Sequence, residues 1–483
     1  MIDQVKLSIL QVSDLHRDPA NPIRNDVLLT SLDRDRDRYT SVDDPQVRAP
    51  DIIVVSGDVV QGVWPGTADF EKLLAEQYAE AKEFIVELTE RFVGGDRSRV
   101  VIIPGNHDVD ACTFMESLES VPIQPDRKKD LVGQLFKSGS RMRWSWHELA
   151  LYRVLDEDKY AARLQAFAIF YKDFYQGKRS YDLNPAKQYD VFDFPEFDLT
   201  ITGFSSCHNN DIFNTQGAIH PGSIAGADKQ LRDPRYADRL RLAVWHHNTE
   251  GAPSQTDYMP AGVLQNLIDC GFSIGLHGHQ HRPQFIDTRF EYGAKRRMTV
   301  ISAGTLCGSA SFNHGRAYNI IELDTALRKG VLHVREAQNG AGETPIWCRR
   351  AITPDKMIID FEFDPPPQPA DAALRLTQQL VTAEGLVQNK RHKEAIGLLQ
   401  PLARKDQLAR RLLLECLTTL KDAAAIAANF DPPQSAAEAI ALMDALWETD
   451  RGRLQTLLED PVIGSLSDGS VAELQKKYLV RLK

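Results

Sequence analysis

The sequence lacks the features that mark secreted and membrane proteins. No apolar stretch approaches the roughly 18 uninterrupted residues that a membrane-spanning helix needs. The N-terminal segment, MIDQVKLSIL, shows no basic region followed by an apolar core, so no secretory signal is expected. The six cysteines include no CxxC pair, which argues against a disulfide framework and against a cysteine-type zinc site. We therefore expect a cytoplasmic protein that does not associate with membranes.

Positive charge is also scarce. The chain has 57 Lys and Arg against 67 Asp and Glu, which gives a net charge of −10. No global positive field is available to hold nucleic acid, so nucleic-acid binding would need a local patch. Hydrophobic residues make up 42% of the 483 residues, as in ordinary globular proteins, and the length suits one large domain with a smaller one.

Six short apolar runs, each followed closely by Gly, Asp, Asn or His, are typical of strands buried on both faces. These runs are residues 7–12, 51–55, 99–103, 199–201, 240–245 and 272–276. Apolar residues at helical spacing lie between them at 68–92 and 260–269, and short β-rich segments follow His281. The alternation predicts an α/β fold in which the C-terminal ends of the strands form a ligand site.

Two parts of the chain depart from this alternation. Residues 112–190 are rich in aromatic residues in a largely helical pattern, and we interpret them as a helical insertion with a packed aromatic core. A lid or a substrate wall is the alternative role. Residues 364–370 are a Pro-rich linker, and residues 371–483 are predicted to form a helical domain that binds a protein partner or a second copy of the chain. Residues 389–399 resemble a tetratricopeptide hairpin, but no second copy of about 34 residues is evident, so an ordinary helical domain is favoured.

The polar motifs at the strand ends are weak singly but informative as an ordered set. The set is Asp14-x-His16, Gly57-Asp58, Gly105-Asn106-His107-Asp108, His246 and Gly278-His279-x-His281. If the strands are neighbours in one sheet, all of these side chains open onto the same edge. Two aspartates, one asparagine and four histidines suit a pair of divalent cations such as Mn, Fe or Zn, whereas a magnesium site would be richer in oxygen.

This ordered set resembles the signature of the calcineurin-like metallophosphoesterases, which reads D-x-H, GD, GNH[DE], H and GH-x-H. The resemblance covers residues 5–335 and implies a four-layer α/β/β/α sandwich with a binuclear metal centre. It places a metallophosphoesterase domain at residues 1–363.

Carried over position by position, the resemblance implies the role of each motif residue. The first metal would be held by Asp14, His16, Asp58 and His281. The second would be held by Asp58, Asn106, His246 and His279, so that Asp58 bridges the two. His107 matches the catalytic histidine of the family, and Asp108 matches the acidic residue that orients it.

The departures from the family pattern narrow the class. Protein Ser/Thr phosphatases of this superfamily read GD-x-x-D-R-G and R-G-N-H-E, whereas this chain has Gln61 before Gly62 and Pro104 before Gly105. Both arginines that grip phosphate in that branch are missing, which disfavours a protein phosphatase. The Pro-Gly-Asn-His-Asp form is more similar to bacterial cyclic-nucleotide phosphodiesterases and nuclease-like members.

The resemblance implies a metal-dependent phosphoesterase. We favour hydrolysis of a phosphodiester, in a nucleotide or a nucleic acid, by a metal-bridging hydroxide with His107 as general acid. A phosphomonoesterase acting on a small molecule is the first alternative, and a non-catalytic scaffold of the same fold ranks last because no ligand position is lost.

Two further histidines are candidates for substrate contact. His247 is adjacent to His246, which we prefer as the ligand because it directly follows the apolar segment 242–245. His208 lies at another strand end, where a loop histidine satisfied by local hydrogen bonds is the more ordinary interpretation.

Overall fold

The computed structural model describes most of the chain, in thirteen stretches. They are residues 6–21, 23–124, 126, 128–135, 139–251, 257–289, 297–308, 315–339, 344–351, 356–365, 370–403, 406–466 and 469–482. The chain forms two compact units, Met1–Pro367 and Gln368–Lys483. This division falls within the linker predicted at residues 364–370. The exact bounds of the two domains stay predictions.

The first unit contains every strand of the described residues. The strands are β1 (Lys6–Val12), β2 (Ile52–Ser56), β3 (Val100–Ile103), β4 (Leu118–Ser120), β5 (Met142–Ser145), β6 (Ala150–Val154), β7 (Tyr189–Phe194), β8 (Leu199–Phe204), β9 (Leu240–Val244), β10 (Ile274–His277), β11 (Gln284–Arg289), β12 (Arg297–Ser302), β13 (Ala317–Asp324), β14 (Lys329–Ala337), β15 (Trp347–Arg349) and β16 (Ile359–Glu362).

Two large sheets are built from these strands. The first has the order β15-β14-β13-β1-β2-β3, with β16 also paired to β14, and its strands β1, β2 and β3 are parallel. The second has the order β11-β12-β10-β9-β8-β7, and β8, β9, β10 and β12 are parallel. The carboxyl ends of the parallel strands carry the predicted site motifs, as expected for open α/β sheets.

Eight helices accompany the sheets in the described part of the first unit. They are α1 (Asn25–Ser41), α2 (Phe70–Val93), α3 (Ala111–Glu116), α4 (Lys128–Leu135), α5 (Glu157–Ala162), α6 (Gln165–Phe174), α7 (Pro221–Leu231) and α8 (Ala261–Asp269). A short 3-10 helix, Asn106–Asp108, directly follows β3.

The packing of these elements gives four layers. Buried residues of both sheets, among them Ile9 and Ile201, share one core that also includes the apolar faces of α1 and α2. A Cβ atom on Gly203 of β8 would lie only 2.7 Å from Cγ2 of Ile103 in β3, so the two sheets approach each other closely there. A second core joins the other face of the second sheet, including Trp245, to α7 and α8. The predicted α/β/β/α sandwich is confirmed.

The insertion at residues 112–190 is not purely helical. It contains α4, α5 and α6 as well as most of α3, but β4, β6 and β5 form a three-stranded antiparallel sheet within it. These strands have only three to five residues, which is too short for the alternation of apolar and polar residues to show clearly. The aromatic residues of α6 are buried in the main core, as the helical pattern predicts, and a lid or substrate wall formed by the insertion stays a prediction.

The second unit is helical throughout the described residues. Its helices are α9 (Ala370–Gln388), α10 (His392–Leu399), α11 (Gln407–Leu420), α12 (Ala423–Phe430), α13 (Ala436–Thr449), α14 (Arg451–Leu458), α15 (Pro461–Ser465) and α16 (Gly469–Arg481). Short helices of 8 residues (α10, α12 and α14) alternate with longer ones of 13 or 14 (α11, α13 and α16). The short helices begin at His392, Ala423 and Arg451, so the spacing is shorter than that of a tetratricopeptide.

None of the six cysteines forms a disulfide bond. Across the described stretches, no helix has both the length and the apolar character that crossing a bilayer requires.

Candidate metal centre and active site

The seven predicted ligands lie together at the carboxyl ends of β1, β2, β3, β9 and β10. Five of them have a backbone in the left-handed region, which is rare for residues other than glycine and clusters at functional sites. These five are Asp14 (φ 52°), His16 (φ 42°), Asp58 (φ 50°), His279 (φ 75°) and His281 (φ 54°). The sharp turns after the strands therefore direct these side chains to a common point.

The first group of ligands comes from the ends of β1 and β10. His281 Nε2 lies 3.2 Å from Asp14 Oδ1 and 3.2 Å from His16 Nε2. Asp14 is fully buried and His16 is almost so. Together these three residues form a cluster with the spacing of ligands around one cation.

The second group comes from the ends of β3, β9 and β10. The amide oxygen of Asn106 lies 3.1 Å from His246 Nε2 and 2.9 Å from His279 Nδ1. Because one oxygen faces two imidazole nitrogens at these distances, the three atoms surround a point that a cation would occupy.

Asp58 lies between the two groups. Its Oδ2 atom is 3.2 Å from His246 Nε2 in the second group and 3.8 Å from His16 Nε2 in the first. Its Oδ1 atom accepts a hydrogen bond of 2.9 Å from the backbone N–H of His107. A single buried carboxylate oxygen thus faces both candidate metal positions.

The residues present fit a pair of divalent metal ions. Adjacent ligands about 2.1 Å from one octahedral ion are about 3.0 Å apart, which is close to the separations within both groups. The combination of imidazole, carboxylate and amide oxygen is one that borderline transition metals accept. Two buried carboxylates also need a compensating positive charge.

The pKa values of Asp14, Asp58 and His16 agree with a role as ligands, whereas for His246 burial is outweighed by the carboxylate of Asp58, which raises the pKa to about 9, so a metal ion would have to displace its proton. Burial would raise the pKa of Asp14, but the facing imidazoles of His281 and His246 lower it to about 2. Burial would raise the pKa of Asp58 as well, but the neighbouring imidazoles, above all that of His246, hold it well below its ordinary value. Burial lowers the pKa of His16 to about 4, so its imidazole is neutral at pH 7 and has a lone pair to offer.

Neighbouring groups set the orientation of His246 and the close packing of the motif. The Nδ1–H of His246 donates to the carbonyl oxygen of Ser56 over 2.8 Å, which leaves the Nε2 lone pair toward the site.

A Cβ atom on Gly57 would lie 2.4 Å from His246 Nδ1, and one on Gly278 would lie 1.8 Å from Ser13 Oγ. Both motif glycines are therefore required by close approach.

His107 stands beside the ligands without being one of the predicted seven. Its Nδ1 lies 2.7 Å from the carbonyl oxygen of Gln61, so Nδ1–H donates there and Nε2 is the nitrogen left for a reacting group. Its ring contacts the ring of His16 edge-on, with the centroids 4.5 Å apart. This geometry is suitable for a proton donor at the edge of a metal site.

The predicted role of Asp108 in orienting His107 is corrected by the structure. Asp108 is buried and points into the scaffold, where Oδ2 accepts from the backbone N–H of Val59 and Gly105 at 3.1 and 2.8 Å. Its Oδ1 accepts from the Tyr78 hydroxyl at 3.0 Å. The carboxylate satisfies buried backbone donors at the ends of β2 and β3, and the Gln61 carbonyl takes the place expected for it at the His107 ring.

Both candidate substrate residues, His247 and His208, contact other side chains of the protein. His247 is fully buried; its Nδ1 contacts Ser206 Oγ at 2.8 Å and its Nε2 lies 3.1 Å from the Asn210 amide. His208 packs edge-on against His220, with ring centroids 4.7 Å apart. Neither is among the residues described as lining the cavity at the site, so direct substrate contact stays an untested prediction for both.

A cavity of about 270 Å³ opens beside His107, and several residues that line it were not predicted. They come from the loop after β2 (Gln61 to Trp64), the loop after β8 (Asn210 to Thr215) and Asp257. Asp257 Oδ2 lies 3.5 Å from Nε2 of His279, the nitrogen opposite the one that faces the metal position. Gln61 and Gly62 lie in the segment compared with the GD-x-x-D-R-G motif, and for the other residues only the position of each loop after a strand could have indicated a role.

Comparison with known proteins identifies the family. The family model of the calcineurin-like phosphoesterases matches residues 7–283, which is more than half of the chain. No curated protein matches the sequence significantly. Similar solved structures include a dimetal phosphatase from Danio rerio, which is 10% identical with a TM-score of 0.38 over 75% of this chain and 100% of that chain. Another is the calcineurin-like phosphoesterase YfkN from Bacillus subtilis, which is 12% identical with a TM-score of 0.28 over 76% of this chain and 92% of that chain. The chain belongs to the calcineurin-like phosphoesterase family.

Proposed function

We propose that the protein is a phosphodiesterase that uses two divalent metal ions, of the Mn, Fe or Zn type. The observation that carries the proposal is the position of Asp58, whose Oδ2 atom faces His246 of one ligand group and His16 of the other. A carboxylate that binds both cations holds them close enough together to act on one phosphate. The seven ligands are those assigned from the family pattern.

The proposed chemistry divides between the ions and His107. When bound, the two cations would acidify a water molecule and offset the negative charge that develops on the phosphoryl oxygens. The chain itself supplies His107, whose Nδ1–H is held by the Gln61 carbonyl. When the ring also carries a proton on Nε2, that Nε2–H is directed to the leaving oxygen and can donate its proton there.

The cavity beside His107 supports a diester rather than a monoester. None of its described lining residues is Lys or Arg. A monoester dianion carries one more negative charge than a diester, and proteins usually grip such charge with arginine or lysine. A phosphomonoesterase is the second candidate. A scaffold without activity is disfavoured, since all seven ligand residues are present.

The test compares two synthetic esters. Purified full-length protein with Mn²⁺ is offered bis-p-nitrophenyl phosphate and p-nitrophenyl phosphate, and the values of kcat/KM are compared. We expect a clear preference for the diester, and loss of that activity on chelation. A preference for the monoester would overturn the diesterase assignment, whereas no hydrolysis of either would favour the scaffold.

For the second unit we propose binding to a protein partner or to a second copy of this chain. Alternating short and long helices, as in α10 to α14, build extended surfaces of the kind that repeat proteins use for binding. Light scattering of the full chain in solution distinguishes a monomer from an oligomer.

We also propose a cytoplasmic location, which the absence of disulfide bonds among the six cysteines supports.

A further inference from the structure

The cavity beside His107 has a defined position relative to the candidate reaction. Asn106, His107 and His279 line one end of it, so that end opens onto the ligand groups. Because His107 is the residue placed to protonate the leaving oxygen, a group bound in the cavity is the leaving group. At about 270 Å³ the cavity is slightly smaller than the sites that hold drug-sized ligands, and it suits one compact group rather than a polymer.

The walls of the cavity are largely apolar and include an exposed indole. Val63, Val109 and Ile212 contribute aliphatic surface. Trp64 also lines the cavity although 67% of it is exposed to solvent. Its turn is anchored, since the Trp64 carbonyl accepts from the Cys112 thiol at 3.3 Å and from the Thr67 hydroxyl at 2.7 Å. An anchored, solvent-exposed indole at the mouth of a site is a ready surface for a flat aromatic ligand.

The lining of the cavity also carries hydrogen-bonding groups on a fixed loop. Asn210 is only 3% exposed, and its amide is held 3.1 Å from His247 Nε2. Asp211 in the same loop is bound by Arg143 Nε at 2.7 Å and by the Tyr160 hydroxyl at 3.0 Å, and both of these residues belong to the insertion. The insertion therefore holds the wall of the cavity in place.

The chemistry of these walls selects among leaving groups. With no Lys or Arg among its described lining residues, the cavity offers nothing to a polyanion such as a continuing nucleic-acid strand. A flat ring with polar edges matches a lining that includes an indole and the side-chain amides of Gln61 and Asn210. A nucleobase has this combination of an aromatic face and hydrogen-bonding edges.

We propose that this cavity binds the base of a nucleoside leaving group, with the base stacked on Trp64. The proposal rests on the proposed phosphodiesterase function for its view of the leaving group. It names a substrate class for that reaction, namely a small nucleotide ester whose nucleoside part departs from phosphorus.

The test measures binding without metal, so it does not depend on catalysis. Full-length protein treated with a chelator is titrated calorimetrically with adenosine, guanosine, cytidine and uridine, with ribose as the control ligand. We expect at least one nucleoside to bind and ribose not to bind. Trp64→Ala should weaken nucleoside binding about 5- to 150-fold, which is the effect of removing one base–aromatic stack. Trp64→Phe should keep most of the affinity.

The matched control is Trp146→Ala. Trp146 is 81% exposed, lies in the turn between β5 and β6, and is not a described lining residue of the cavity, so its removal should leave nucleoside binding unchanged. If no nucleoside binds at millimolar concentration, or if Trp64→Ala binds as tightly as the wild type, the base site does not exist. Either result leaves hydrolysis of bis-p-nitrophenyl phosphate as a separate test of the phosphodiesterase itself.

Discussion

Replacing Asp58 by asparagine tests the shared carboxylate directly. Asparagine has nearly the same shape as aspartate and tolerates the left-handed backbone at this position (φ 50°), so the fold should persist. Asp58 Oδ1 accepts from His107 N–H and Oδ2 faces both ligand groups. If the asparagine amide oxygen keeps the bond to His107, its NH₂ group points at both metal positions, where it has no lone pair to offer.

The expected loss of metal affinity is large. Changing a group that only supports a ligand typically costs about 10- to 100-fold in affinity. Asp58 is a proposed ligand of both ions, so Asp58→Asn should weaken the binding of each by at least about 100-fold. Metal analysis after dialysis against trace Mn²⁺, together with calorimetric titration, measures this. Two full equivalents bound to Asp58→Asn would refute the bridging assignment.

Asp108→Asn is the matched control, because both carboxylates are buried with only 1% exposed. An asparagine oxygen can still accept from Gly105 N–H and Val59 N–H, while its NH₂ can donate to the Tyr78 hydroxyl once that hydroxyl turns. Burial raises the pKa of Asp108 to about 7, so at neutral pH its replacement by a neutral amide removes at most part of a charge, and the change in stability should stay within about 1 kcal/mol. We expect a Tm close to that of the wild type with unchanged metal content, which separates replacement of a buried carboxyl group from loss of a ligand.

Three further substitutions give distinct outcomes. His107→Ala should lower kcat about 10²- to 10⁴-fold while metal content stays at the wild-type level, since His107 is proposed to move a proton rather than to hold an ion; equal loss of metal would contradict this. Asp257→Asn should weaken one of the two metals about 10- to 100-fold, because the carboxylate 3.5 Å from His279 Nε2 fixes that ring, and an unchanged titration curve would exclude the role. Arg143→Met leaves buried Asp211 without its guanidinium partner and should cost about 3 kcal/mol of unfolding free energy, measured by urea denaturation.

The ligand groups were predictable because each motif is local in the sequence. A buried strand followed at once by Asp, Asn or His places a polar group at a sheet edge, and parallel neighbours bring such edges together. Asp14 and His281 are far apart in the chain, yet both follow strands of this kind and lie 3.2 Å apart at the site. Close packing adds a second local requirement, since Gly57 and Gly278 have no room for a side chain.

The direction of Asp108 was not predictable from its position beside His107. In a short 3-10 turn, adjacent side chains leave in different directions, and the buried N–H groups of Val59 and Gly105 need an acceptor. Satisfying two backbone donors inside the protein outweighs a contact with a half-exposed ring. Sequence adjacency therefore misassigned a structural carboxylate as part of the catalytic pair.

The cavity was beyond sequence reasoning. Most of its lining comes from the loops after β2 and β8 and from Asp257, which meet only through tertiary packing. In the second unit a repeat was sought at a spacing of about 34 residues, whereas the short helices begin at His392, Ala423 and Arg451, at shorter and unequal spacings. An ordinary helical domain therefore stays the prediction for that unit.

The two sheets and the insertion of the first unit have different roles. The two sheets bring the candidate ligand groups together at the ends of their strands. None of the seven candidate ligands lies in the insertion, but through Arg143 and Tyr160 it holds Asp211 and hence the cavity wall. Changes in the insertion should therefore alter which ester is bound more than how it is hydrolysed, because the groups that would act on phosphorus are supported by other elements.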